Sequence, residues 1–385
     1  MVVASRRDGP RIFLVAGEAS GDQLGALLMR ALRGAAPQVE FLGVGGEAMA
    51  REGLASLFPL SDIAVMGLAP VLARLPLLAK RLDETVRAIV AARPDCLVII
   101  DAPDFTHRVA RRARRALPGL PVVDYVSPTV WAWRPGRARK MRDYVDCVLA
   151  VLPFEPEAHA RLGGPRCVYV GHPLIEHIED FGGPRPPGGG GRPLLLVLPG
   201  SRRAEVARMT PVYGAAVALL MRQGLAFDVA IPVAPGVEEV LRAKLRDWPL
   251  APRLLTQDEK YPAFRAARAA LVTSGAATLE LALAGVPMVV GYKVSPLEWP
   301  LRHLISVDAI SLPNLVLGAR AVPEFLQGEA TPRALAEALA PLLAESEARA
   351  AQLDALSRVR ARLLEAGENP SARAAEIVLD YASGA

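Results

Sequence analysis

The chain reads as an α/β protein built from two doubly wound, Rossmann-like domains that face a central cleft. Three observations carry the reading. Short aliphatic runs alternate with helical segments along most of the 385 residues. These runs are continuous, with no polar alternation, which suits strands of a parallel sheet covered on both faces. A glycine- and proline-rich stretch, FGGPRPPGGGGRP at 181–193, breaks the pattern once, and the pattern then resumes.

The first domain, 1–180, opens on RIFLVAG (Arg11–Gly17), a buried strand. The turn Glu18–Asp22 then starts a helix whose apolar side includes Leu24, Leu27, Leu28 and Leu32. VEFLGVGG (Val39–Gly46) is a strand with a glycine-rich exit, CLVIID (Cys96–Asp101) another, and LPVVDYV and DCVLAVLPF continue the alternation. The stretch 181–193 has almost nothing to bury and holds no regular element, so it is the linker. The second domain, 194–345, carries LLLVLPG (Leu194–Gly200), FDVAIPV, LLTQ, a helix around Tyr261–Ala269, ALVTSG and VPMVVGYKV. A helical tail, 346–385, is expected to pack back on the first domain. Two such sheets present their loops towards a cleft.

Composition narrows the function classes. The chain is 52% hydrophobic and 22% charged, which suits a folded protein, and no apolar run reaches the length of a membrane-spanning helix. IFLVAG after Arg6 and Arg7 is short and leads straight into GEASGD, so it reads as a first strand and not a signal peptide. Cys96, Cys147 and Cys167 are an odd number without metal-type spacing, as in a reducing cytoplasm. A net charge of +5 fits a phosphorylated substrate or an anionic lipid surface. Nucleic acid is the weaker use, because the basic clusters lack aromatic interleaving.

One segment stands outside the βα scheme. Ala64–Leu82 carries Met66, Leu68, Leu72, Leu75 and Leu77 among Arg74, Lys80 and Arg81, with Pro70 and Pro76 limiting helical regularity. Core packing and an interfacial patch for acyl chains are both open for it. Arg111, Arg112, Arg114 and Arg115, with Arg134, Arg137, Arg139, Lys140 and Arg142, are either solvated helix faces or an attraction to anionic lipid.

The chemistry concentrates at strand ends. In LVTSGAATLE (Leu271–Glu280), Thr273 and Ser274 are candidate caps, and Gly275, Ala276 and Ala277 let a ligand approach closely. Free N–H groups there, at the positive end of a helix dipole, suit a phosphate. Glu280 follows about 7 Å further along the helix, near the reach from a diphosphate to its ribose. LPGSRRAEV (Leu198–Val206) is a second start of this kind, with Gly200, Ser201 and a charged fork from Arg202 or Arg203. Two in one half-chain point to a diphosphate nucleotide, and the absence of Gly-Lys-Ser/Thr argues against a P-loop ATPase. In the first domain, Asp101 and Asp104 end a strand in IIDAPDF, and Glu18 and Asp22 end another. Asp101 is equally a helix cap or a general base towards a hydroxyl.

Together the motifs resemble one family, lipid-A-disaccharide synthase, a glycosyltransferase of GT-B architecture. The matching segments are VAGEASGD, IAVMG, IIDAPDF, YVSPTVWAW, LPFE, VGHP, LPGSRRAEV, TSGAATLELALAGVPMVVGYKVSP and SLPNLVLG with VPEFLQ, spread from Val15 to Gln327. The resemblance implies transfer from UDP-2,3-diacylglucosamine to 2,3-diacylglucosamine 1-phosphate, giving a β(1→6) disaccharide phosphate and UDP, with no metal or other cofactor. It implies Asp101 as base, with Glu18 competing, and Arg202 against the charge growing on UDP. The N–H groups at Ser274–Ala277 would hold the diphosphate, Glu280 the ribose, and Asn314 donor or product. Ser20 and Ser127 would line the acceptor side, and His172 would make a structural hydrogen bond first and serve catalysis second. The family is peripheral on the cytoplasmic face of the inner membrane, which gives Ala64–Leu82 an anionic lipid surface as partner; a homodimer stays open. Rival readings are a murein transferase or UDP-sugar epimerase of the same architecture, and a non-catalytic sugar-nucleotide or lipid binder.

Overall fold

The computed structural model describes residues 9–64, 74–181, 191–294 and 309–384. The chain divides into two compact units, Met1–Glu176 with Ala366–Ala385, and His177–Glu365. Each is a six-stranded, wholly parallel sheet clad by helices.

In the first unit the strands are β1 (Arg11–Ala16), β2 (Glu40–Val44), β3 (Cys96–Ile100), β4 (Val122–Tyr125), β5 (Cys147–Ala150) and β6 (Arg166–Tyr169). They lie in the order β2-β1-β3-β4-β5-β6. The helices are α1 (Ala19–Ala35), α2 (Glu47–Arg51), α3 (Leu75–Ala92), α4 (Pro103–Ala116), α5 (Gly136–Met141) and α6 (Glu155–Arg161). Every residue of β3 is fully buried, which is why it reads as an unbroken aliphatic run. The register Ala16↔Ile100 ends β1 and β3 side by side, so the loops after them are neighbours.

The second unit has β7 (Leu194–Leu198), β8 (Asp228–Pro232), β9 (Arg253–Leu255), β10 (Ala267–Val272), β11 (Met288–Tyr292) and β12 (Glu324–Leu326), in the order β12-β11-β10-β7-β8-β9. Its helices are α7 (Arg203–Arg222), α8 (Glu238–Leu245), α9 (Gln257–Ala266), α10 (Ala276–Leu283), α11 (Leu312–Leu317), α12 (Pro332–Leu343) and α13 (Glu347–Leu363), with a short turn of helix at Ile178–Phe181. Val272↔Leu198 aligns the ends of β10 and β7, which brings TSGA beside PGSR.

Several expected boundaries move. The tail 346–385 is split: α13 packs on α10 and α11 of the second unit, while α14 (Pro370–Ser383) packs along α1 of the first. The boundary between the units falls after Glu176, ahead of the glycine–proline stretch, of which 182–190 lie outside the described residues. The helix expected over Tyr261–Ala269 ends at Ala266, because Ala267–Ala269 already pair with β7. β6 and β12 have no counterpart among the expected strands; both are short edges, and half-buried edges lack an apolar run. No helix of the described residues is long and apolar enough to cross a membrane.

Candidate active site

In the second unit, the loops after β7 and β10 enclose a cavity of about 290 Å³. Gly200, Ser201, Ser274, Ala276, Ala277 and Glu280 all line it. The cap of α10 differs from the expected one. Gly275, at φ 154°, is the N-cap residue, and no side chain caps the helix. Thr273 instead meets the Tyr213 hydroxyl at 3.1 Å, and Ser274 Oγ donates to the Ile310 carbonyl at 2.8 Å. The helix therefore starts on backbone N–H groups that its own neighbours leave to a ligand.

The start of α7 is arranged in the opposite way. Glu205, buried on that helix, accepts from Ser201 N–H at 3.3 Å, Arg202 N–H at 3.4 Å and Arg202 Nη1 at 3.0 Å. A carboxylate already sits on this positive end, so a phosphate there meets like charge. Arg202 is 63% exposed and spends one of its five N–H donors on Glu205. On the far wall Glu280, 9% exposed, is ion-paired with Lys260 of α9, whose Nζ lies 2.9 Å from Oε1 and 2.8 Å from Oε2. Tyr261 also hydrogen-bonds this carboxylate, whose two oxygens can accept about four hydrogen bonds in all. Lys260 has no signal in the local sequence, because only the packing of α9 brings it to the cavity.

In the first unit, the end of β3 is strained. Asp101 and Ala102 both take left-handed backbone conformations, φ 54° and 44°, at a cost on the order of 1–3 kcal/mol each. Gly17 makes room for that step, since a methyl there would come within 2.2 Å of the Ala102 Cβ. Ser20 Oγ donates to Asp101 Oδ2 at 2.8 Å, and Ala102 N–H to Oδ1 at 2.7 Å. Ala102, not Asp101, is the N-cap residue of α4, so the carboxylate is half-buried, oriented by two donors and open to a third. Glu18 occupies the N-cap position of α1, half-buried. Asp22, by contrast, is committed to the start of α2, accepting from Gly46, Ala48 and Met49 N–H groups at 2.7–3.1 Å.

Two expected contacts are replaced by internal ones, and a third residue makes the structural bond expected of it. Asn314, 1% exposed, uses its whole amide: Nδ2 donates to Val322 O at 2.8 Å and Glu324 Oε1 at 2.7 Å, while Oδ1 accepts from Ala321 and Val322 N–H, both at 2.8 Å. No donor or acceptor is left for a substrate. Ser127 is buried, with Oγ donating to Pro128 O at 2.9 Å and lying 2.8 Å from His159 Nε2, so it does not line an acceptor surface. His172 accepts from Leu174 N–H at 3.2 Å through Nδ1, the structural bond named first for it, and burial pushes its pKa down to about 4.

Two carboxylates outside the expected set gather hydrogen bonds, half-buried Glu324 and buried Glu155. Glu324 gathers Ser311 N–H and Oγ, Ile310 N–H and Asn314 Nδ2. Glu155 accepts from Val151, Leu152 and Trp131 Nε1, and burial outweighs these donors and raises its pKa to about 7. Of the apolar patch, Met66, Leu68 and Leu72 lie outside the described residues; Leu75 is 48% exposed at the start of α3 and Leu77 is half-buried. The basic clusters divide as well, for Arg112 pairs with Asp83 and Arg114 with Asp146.

Two wholly parallel α/β units with polar strand-end loops define the class, the GT-B architecture of glycosyltransferases. Solved structures agree on the fold. MurG of Acinetobacter baumannii matches at a TM-score of 0.58 with 14% identity, over 96% of this chain and 99% of that one. A structure of S. aureus MnaA with UDP matches at 0.60 with 13% identity, over 97% and 95%. The sequence goes further. The family model of lipid-A-disaccharide synthetase matches residues 12–378. The lipid-A-disaccharide synthase of Rhodopseudomonas palustris (strain BisB18) is 52% identical over 378 residues, 96% of this chain and 95% of that protein. The chain belongs to the lipid-A-disaccharide synthetase family and is a glycosyltransferase of lipid A biosynthesis.

Proposed function

We propose that the chain transfers 2,3-diacylglucosamine from its UDP ester to the hydroxyl of 2,3-diacylglucosamine 1-phosphate, with inversion, giving the β(1→6) disaccharide 1-phosphate and UDP. The observation that carries the residue assignments is the cavity in which the uncapped start of α10 and the carboxylate of Glu280 stand together. Their spacing suits the diphosphate and ribose of one nucleotide. The second unit holds the donor there, and Arg202 turns its remaining N–H groups to the charge that grows on UDP as the glycosidic bond breaks.

The first unit supplies the base. Asp101 accepts the proton of the acceptor's 6-hydroxyl while that oxygen bonds to the anomeric carbon. One displacement inverts the centre, so no covalent nucleophile is needed. Ser20 and the Ala102 N–H hold the carboxylate in one orientation during the transfer. Exposed Leu75 marks the described end of a patch for acyl chains and the cytoplasmic face of the inner membrane.

The test is Asp101→Asn, since Asn tolerates a left-handed backbone and keeps an oxygen for the local donors. Turnover of the acylated donor–acceptor pair is expected to fall about 10²–10⁴-fold with UDP affinity unchanged. Near-wild-type turnover transfers the role to Glu18, and Glu18→Gln is the companion measurement.

A further inference from the structure

A cavity of about 440 Å³ lies between α4 and α5 in the first unit. Arg108 and Arg111 reach it from one helix, Arg137 and Lys140 from the other, and Arg134 from the loop before α5. The spacing makes this local: positions 104, 108 and 111 share one face of α4, and 137 and 140 share one face of α5. Against five cations stands one carboxylate, Asp104, which is paired with Arg137 at 2.9 Å.

The other groups facing the cavity do not neutralise it. His107 turns Nε2 towards buried Asp124 at 3.2 Å and sets Nδ1 3.1 Å from the Tyr144 hydroxyl. Arg111 is stacked over the Tyr144 ring, 4.9 Å from its centroid, which fixes the guanidinium before any ligand arrives. Among the described residues Arg108, Arg111, Arg134 and Lys140 have no carboxylate partner. Elsewhere on α4, Arg112 pairs with Asp83 and Arg114 with Asp146, while exposed Arg115 has no ion pair among the described residues. Of the five cations that line the cavity only Arg137 has a carboxylate partner among the described residues, so most of the charge pointing into it is uncompensated. A concave surface of one sign attracts the opposite one, and planar arginine forks suit phosphoryl oxygens.

Size and place select the ligand. The volume is within the range of small-molecule sites, larger than a bare phosphate needs and suited to a phosphorylated sugar. Pro103 and Asp104, which line the cavity, follow directly on the strained Asp101–Ala102 step. We propose that this groove is a subsite for a phosphate monoester, the 1-phosphate of the acceptor sugar, and so places the acceptor beside Asp101. The inference rests on the reading of Asp101 as the acceptor's base. The same phosphate chemistry on a membrane lipid headgroup is the competing source.

The test uses full-length Arg108→Gln/Lys140→Gln, two exposed positions, against wild type in detergent micelles. Two acceptors are compared, 2,3-diacylglucosamine 1-phosphate and its dephosphorylated form. The variant is expected to raise KM for the phosphorylated acceptor about 10–100-fold, with kcat, UDP affinity and the dephosphorylated acceptor little changed. Arg108→Lys/Lys140→Arg, which keeps the charges, should recover most of the loss. Equal losses with both acceptors, or no loss, overturn the subsite. Unchanged discrimination with weaker sedimentation on phosphatidylglycerol vesicles gives the cations to lipid headgroups and overturns it too. If wild type turns over neither acceptor, the underlying reaction is wrong; if it does and the variant responds as wild type, only the subsite is wrong.

Discussion

Asn314 separates a structural reading from a substrate-binding one, and Asn314→Ala decides between them. The side chain is 1% exposed and makes four hydrogen bonds of 2.7–2.8 Å that hold residues 321–324 against α11. Truncation strands the N–H and C=O of Val322 in a buried setting, at about 1–3 kcal/mol each, and takes one donor from Glu324. The sum is about 3–5 kcal/mol, which in a unit of this size lowers the melting temperature by roughly 10 °C. Urea unfolding followed by circular dichroism reads the stability, and calorimetry on the folded variant reads UDP affinity. The expected result is a large loss of stability with UDP affinity within about threefold of wild type. A loss below about 1 kcal/mol together with a tenfold weaker Kd would refute the reasoning and return the amide to the ligand.

Three further outcomes follow from the geometry. Gly275→Ala forces a side chain onto φ 154° with open space around the Cβ, so its cost is in the backbone of the α10 start. UDP affinity should drop about tenfold by calorimetry, with stability lowered by ~1–3 kcal/mol. Glu280→Gln should weaken UDP binding while leaving acceptor KM unchanged, and an unaltered Kd would remove the ribose contact. Glu155 and His172 give opposite pH dependences. Glu155 titrates near 7 in the fold against 4.5 ordinarily, so the native state holds the extra proton and stability falls as pH rises through that window. His172 titrates near 4 against 6.5, so its share of stability is lost as pH falls. Unfolding free energies of Glu155→Gln and His172→Asn between pH 5 and pH 7 should therefore diverge from wild type in opposite directions.

Much of this was legible locally. β1, β3, β7 and β10 read as strands because they are buried on both faces, and the α10 start reads as a strand-to-helix turn because small residues follow a strand directly. The pairs that complete the site were not legible, since they join distant positions: Lys260 with Glu280 across 20 residues, and Ser20 with Asp101 across 81. For Asn314 the family motif suggests a ligand contact, whereas the partners of its amide lie in 321–324 and close a turn. The arginine clusters divide in the fold although they are adjacent in sequence. Adjacent residues on a helix point in different directions, so Arg111 enters a groove while Arg112 meets Asp83.

The two helix starts of the second unit divide the work by charge. Both follow buried strands, both line the same cavity, and both looked alike as sequences. The α7 start carries its own carboxylate, which accepts from the N–H groups of Ser201 and Arg202 and steadies the Arg202 side chain; the α10 start carries none. The proposed reading therefore puts the diphosphate on α10 and takes a guanidinium, not a helix end, from the Glu205 side. Glu205→Gln, which keeps an acceptor for the N–H groups but removes the charge, should leave UDP affinity equal or tighter at low salt. Transfer should slow, since Arg202 loses the partner that orients it. A weakening of UDP as large as that of Gly275→Ala would put the diphosphate on α7 and reverse the assignment.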